Sequence, residues 1–321
     1  MKCHISNSVF IGNIDPFIRS FDLSNPETLE ISTHDKWMSV HPVALAMVAA
    51  LGMTVPKGNV KFDDINAASG HYLQRMGLFK LLGIDDIKSI AEHDPSGRFV
   101  PLTVIKTATE QTVFITEMMP LLHLDKAPEQ AEAIRYVVSE LLRNVLEHAS
   151  AVHGAIVAAQ YYPKTNRISI GIVDTGVGIK QTINQSHHAW TDAEALRLAL
   201  MPGITGTTSR EGGTIDNAGA GLFFIKSIAV NNHDFFMLYS GNSLYKLHKR
   251  TGDVKYLHID PLDDRHALKE DVPYWQGTVV GIDISLDQTK RFADLMGAIG
   301  KSYTSAIRER RKAKYRRARF E

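Results

Sequence analysis

The sequence predicts two α/β units in tandem: a small layered domain over residues 1–125, and an α+β two-layer sandwich over 126–290 with helices covering one face of a mixed sheet. Three observations lead there. The 321 residues exceed the ~100–200 of a usual domain. A long helical period begins at Pro128, and two strand-length runs follow it before a glycine-rich segment and further strand-like runs. The first third instead alternates short β-prone and helical pieces, the pattern of a small α/β layer domain.

The elements follow in order. Residues 8–14 and 29–32 are β-prone. Residues 43–51, VALAMVAAL, form an apolar run ended by Gly52, which predicts a buried helix. Residues 60–62 read as a short strand, 66–82 as partly helical through Leu73, Met76, Leu78 and Leu81, and 99–106 as a strand. From Pro128 onward, Ile134, Val137, Val138, Leu141, Leu142, Val145 and Leu146 recur at spacings of three and four, an amphipathic helix with proline at its start. Strands over 155–162 and 167–173 meet at a Pro-Lys-Thr-Asn turn. Next come a helix over 192–200, a Gly/Thr-rich segment over 203–213 and a helix opening at Gly221. Strand-like runs over 235–240, 244–249, 254–259 and 278–284 precede a charged closing helix. There is no internal repeat.

Composition bounds the function. Apolar residues make up 44% and charged residues 22%, ordinary for a soluble globular protein. A formal net charge of +1 gives no whole-surface attraction for nucleic acid. The C-terminal part, 291–321, is a basic helix or tail whose cluster from Arg308 to Arg319 reads as a solvated helix end, with nucleic acid or an acidic partner as the alternative. Cys3 is the single cysteine, so no intrachain disulfide forms and a reducing cytoplasm is the simplest location. The N-terminus lacks the basic-then-apolar pattern of a signal peptide. The longest apolar run, 42–53, is short of the ~20 residues of a membrane helix. A soluble, cytoplasmic protein without membrane contact is expected.

Four segments carry chemistry. Glu140, Asn144 and His148 are spaced by four and share one helix face. They offer a carboxylate and a carboxamide to a hard cation or an attacking water. Asp174-Thr-Gly176-Val-Gly178-Ile179 follows a strand and presents a carboxylate beside bare backbone, able to accept from an exocyclic amine. Gly212-Gly213 and Asn217-Ala-Gly219-Ala220-Gly221-Leu222 run into a helix N-terminus, a cradle for phosphate. Gly277-Thr278 opens the last strand. Singly, each is also explained by a solvated helix face, a strand-to-loop turn or an ordinary loop.

Together and in this order, the four segments resemble the ATP-binding superfamily named for gyrase, the heat-shock chaperone ATPase, histidine kinase and MutL (GHKL), over roughly half the chain. The resemblance implies a Bergerat-type fold binding ATP and Mg²⁺. It implies that Asn144 coordinates the metal, Glu140 is the general base, and His148 completes the helix motif. Asp174 would hold the adenine amino group with Thr278 assisting, and Gly176, Gly178 and Ile179 would let the ring approach. Gly219, Ala220, Gly221 and Leu222 would wrap the phosphates under a lid over 203–213, with Thr205, Thr207, Thr208, Ser209 and Arg210 as further contacts.

The run Glu140-Leu-Leu-Arg-Asn-Val-Leu-Glu-His-Ala149 is most similar to the anti-sigma serine kinases. A histidine autokinase is not expected, because His123 has no acidic residue after it and no helical hairpin before it. Residues 1–125 resemble the small anti-sigma-antagonist (STAS-like) domains, which implies a fused regulatory or dimerisation module. The stretch 240–276 is a β insertion; its His248, His258 and His266 lack tight metal-ligand spacing. Two functions are expected in turn. One is an ATPase or a protein serine/threonine kinase in bacterial regulation. The other is an ATP-operated switch with little turnover, acting on a protein partner or within a homodimer.

Overall fold

The computed structural model describes residues 1–35, 38–63, 70–84, 99–124, 128–206, 221–249, 257–286 and 292–317. The chain opens with β1 (Lys2–Ile5), β2 (Ser8–Val9), α1 (Asp15–Arg19), β3 (Leu29–Thr33) and β4 (Ser39–Val40). Next come α2 (Pro42–Thr54), β5 (Val60–Phe62), α3 (Gly70–Arg75) and α4 (Leu78–Leu82). Then follow β6 (Phe99–Ile105), α5 (Ala108–Leu121), α6 (Pro128–Asn144) and the hairpin of β7 (Ala155–Tyr162) and β8 (Arg167–Asp174). Helices α7 (Ile179–Ile183), α8 (Asp192–Ala199) and α9 (Gly221–Asn231) lead to β9 (Phe236–Gly241) and β10 (Ser243–Leu247). Last come β11 (His266–Lys269), β12 (Trp275–Ser285) and α10 (Phe292–Arg317).

The main sheet has the order β11-β10-β9-β12-β8-β7-β6, and every neighbouring pair in it is antiparallel. The expected mixed sheet is therefore corrected. β8 and β9 run in the same direction, but β12 lies between them, antiparallel to both. Among the described residues, parallel pairing is confined to β1-β3-β5 and β2-β4.

The two-layer expectation is also corrected, because both faces of the sheet are covered. Alternate residues of each strand point to opposite sides. Val157, Ala159, Ile170, Ile172, Val280 and Ile282 enter one core with α5, α6, α9 and α10. Ile156, Ala158, Val173, Met237, Tyr239 and Val279 enter a second core with α2 and the N-terminal elements. Helix α2 is buried from Pro42 to Gly52, as an all-apolar helix must be. It lies so close to β8 that a Cβ at Gly171 would stand 2.2 Å from Val43 Cα. His41 caps α2, its Nδ1 accepting from Val43 N–H at 3.0 Å, while its Nε2 reaches Asp283 of β12 at 3.2 Å. Ser169 of β8 also donates to Asp283, and these hydrogen bonds hold that carboxyl below its usual range against the upward push of burial.

A boundary at 125 divides what the structure joins: β6 pairs with β7, and α5 packs on α6. Six elements escaped the sequence reading: β1, α1, β4, α5, α7 and β11. Over 8–14 the strand is only Ser8–Val9, followed by a 3₁₀ turn and α1. Of the expected strand over 254–259, residues 254–256 lie outside the described residues, and 257–259 are not in a strand. The insertion after β9 is pinned to the helical layer. Lys226 of α9 and Asp264 are both buried and pair at 2.5 Å, and Arg197 of α8 forks onto Asp260. Among the described residues no helix is long and apolar enough to cross a membrane.

Candidate functional site

A cleft of about 290 Å³ opens between α6, the ends of β8 and β12, α7 and the start of α9. Its long wall is α6. The four-residue spacing of Glu140, Asn144 and His148 places all three side chains on it, joined by Tyr136 and Arg143. After Asn144 the helix widens into a π turn, Val145–Ala149, that ends at Ser150 in the left-handed region (φ 49°). Such turns re-aim side chains at a helix end, and His148 lies within this one.

Asp174 closes β8 at the floor of the cleft and is 1% exposed. Its Oδ1 accepts from Gly176 N–H at 2.8 Å. Its cross-strand neighbour Thr278 donates to it from backbone and side chain. Burial outweighs these donors and pushes its pKa up to about 6. The walls beside it are apolar: Val145, Ile172, Ile179, Ile183, Leu222 and Val280.

The loop after Asp174 is braced from behind. Gly178 (φ 80°) lines the cleft, and Ile179 N–H donates to Ser240 Oγ at 3.0 Å while that hydroxyl donates to Gly277 O at 2.6 Å. The Trp275 indole N–H donates to Asp174 O at 3.1 Å, and Gln276 donates to Gly176 O. Gly176 does not line the cleft, contrary to expectation. A Cβ there would lie 2.0 Å from Ala149 O, so its bareness lets the loop pack on the π turn.

At the other end, Glu140 and Asn144 meet the start of α9. A Cβ at Gly221 would stand 2.8 Å from Glu140 Oε2 and 3.8 Å from Asn144 Nδ2. Burial pushes the Glu140 pKa up, opposed by the guanidinium of Arg143, whose Nη2 donates to Glu140 Oε2 at 2.7 Å. Ile204, Thr205 and Gly206 line the rim, held by Ser186 Oγ donating to Thr205 O at 2.8 Å. Thr207, Thr208, Ser209, Arg210, Gly219 and Ala220 lie outside the described residues.

Of the sequence-selected residues, Glu140, Asn144, His148, Asp174, Gly178, Ile179, Thr205, Gly221, Leu222 and Thr278 thus converge on one cleft. Tyr136, Arg143, Thr182, Ser240, Trp275 and Gln276 were missed. Tyr136 and Arg143 had a signal, since they stand four before and three after Glu140 and so share its side of the helix. Ser240, Trp275 and Gln276 had none, because only the sheet register brings them there. Comparison of the chain with protein-family models and with curated proteins gives no match.

Proposed function

We propose that this cleft binds Mg-ATP in a Bergerat-type site of the GHKL kind, and that Glu140 promotes transfer of the terminal phosphoryl group to water or to a partner's serine or threonine hydroxyl. One observation carries the reading. A buried carboxylate at one end of an apolar slot, Asp174, stands opposite a carboxylate and carboxamide at a helix N-terminus, Glu140 and Asn144 beside Gly221. The first suits an exocyclic amine, the slot a flat ring, and the far end phosphate.

Asp174 accepts from the adenine amino group, with Thr278 fixing the carboxylate. The N-terminus of α9 directs its positive dipole end at the phosphates. Mg²⁺ takes one or two protein oxygens and the rest from phosphate and water; Asn144 would hold it. When bound, the ion neutralises charge developing on the transferred group. Glu140, largely withdrawn from water, takes the proton from the attacking hydroxyl.

The test is calorimetric titration of the full chain with Mg-ATP, alongside Asp174→Asn. The reading fails if the protein shows no magnesium-dependent affinity for adenine nucleotides, or if the variant keeps that affinity. Turnover then separates enzyme from switch: a rate lost in Glu140→Ala with binding retained marks an enzyme, and tight binding with a negligible wild-type rate marks an ATP-operated switch.

A further inference from the structure

Resting on the nucleotide reading above, we infer that Arg143 is the specificity residue for a terminal phosphate: it exchanges its Glu140 partner for that phosphate, so that a nucleoside triphosphate, and not a diphosphate, releases the Glu140 carboxylate.

Four observations support this. Arg143 is the single lysine or arginine among the described residues that line the cleft, and a site for a polyanion needs cationic charge. Its guanidinium is not committed to a deep core pair. The side chain is 43% exposed, against 14% for Glu140, so the arginine reaches inward from the rim to a carboxylate already held in the wall. The pair is weak enough to exchange, since a half-exposed ion pair separated by one helical turn gains little. Finally, the contact is made through Glu140 Oε2, the same oxygen that faces Gly221 at the start of α9. The guanidinium therefore lies beside the helix end assigned to phosphate, and its planar fork suits two phosphate oxygens as well as it suits a carboxylate.

The exchange makes the base conditional. With Arg143 donating to Oε2, the guanidinium takes one lone pair of the oxygen that faces Gly221 and lowers the basicity of the carboxylate. Once the guanidinium turns to a terminal phosphate, Oε2 is free. A diphosphate ends one group short and leaves the ion pair intact.

The experiment is isothermal titration of the full-length wild type, Arg143→Ala, Arg143→Lys and Glu140→Gln with Mg-ADP and with a non-hydrolysable Mg-ATP analogue, each variant first checked by circular dichroism melting. Arg143→Ala is expected to lose about tenfold or more in triphosphate affinity while its diphosphate affinity stays within about twofold. Arg143→Lys should recover part of the loss. Glu140→Gln, which removes the competing carboxylate and keeps the arginine, should bind the triphosphate several-fold tighter with diphosphate affinity within about twofold; equal tightening for both nucleotides reflects the lost negative charge alone and overturns the inference. Equal losses for both nucleotides, or none, in Arg143→Ala overturns the inference while leaving the nucleotide reading intact. Should Arg143→Ala fail to fold, Glu140→Gln decides: unchanged or weaker triphosphate binding overturns it. Absence of affinity in the wild type overturns both.

Discussion

Protonation of Asp174 should control nucleotide affinity in the mildly acidic range. Its pKa rises from 3.8 to about 6 through burial, and at ~1.4 kcal/mol per unit the fold disfavours the ionised form by roughly 3 kcal/mol. An adenine amino group donating to the carboxylate favours the ionised form, so the complex carries fewer protons than the free protein. Affinity should be full above about pH 7 and fall as pH drops through 6, reaching roughly a tenfold loss one unit below the pKa. Titration calorimetry from pH 5 to 8 measures this, with adenosine, which keeps the amino group and carries no titrating phosphate, as the ligand that removes the titration of ATP itself. The same shift sets a stability effect of opposite use. A raised carboxyl pKa contributes stability that is present below 3.8 and lost as pH rises through about 6. At neutral pH the ionised Asp174 is thus a burden, and Asp174→Asn, which keeps an oxygen for the Gly176 N–H, should melt higher than wild type above pH 7 while losing nucleotide. A flat affinity profile in the wild type, or an asparagine variant that melts lower above pH 7, would refute the reasoning.

Glu140→Ala should lower turnover by about 10²- to 10⁴-fold with Mg-ATP affinity retained; an unchanged rate in a steady-state phosphate-release assay removes it as the base. Gly171→Ala places a Cβ 2.2 Å from Val43 Cα and should cost about 1–3 kcal/mol, read as a lowered denaturant midpoint. Lys226→Met strands Asp264 in the interior and should cost about 3–5 kcal/mol, most of it recovered when Asp264→Leu is added; a double-variant loss equal to the sum of the two single losses would show that the pair is not coupled. Removing residues 1–84 uncovers the sheet face built by Ile156, Ala158, Met237 and Tyr239, so the fragment should bind a hydrophobic dye and aggregate rather than turn over normally.

Much of the cleft was legible because its residues lie on one helix or next to one strand end. Four-residue spacing fixes Glu140, Asn144 and His148 on a common face whatever the tertiary fold, and a carboxylate followed by spaced glycines marks a strand end. The sheet was less legible. Hydrophobic periodicity finds strands but does not order them, so β12 between β8 and β9 could not be foreseen, nor could Ser240 and Trp275 beside Asp174. The second face was misjudged for another reason. The run 43–51 announced a buried helix but not what buries it, and the answer is Gly171 and Gly281, whose missing side chains make room for Val43. Gly176 shows the reverse limit: the sequence singles out the glycine, but its packing on Ala149 depends on where the π turn ends.

The placement of β12 has a consequence for how the chain acquires its shape. β7 and β8 form a hairpin that β6 extends, and β9, β10 and β11 form a second ribbon, but among the described strands only β12 bridges the two. It is also the last of them in the chain. Until it arrives, β8 and β9 each present a bare row of amides, an invitation to pair with the wrong strand or another molecule. Bridging ribbons so distant in sequence is slow, so refolding should show a late step that reports on Trp275, and nascent chains ending before that tryptophan should depend most on chaperones.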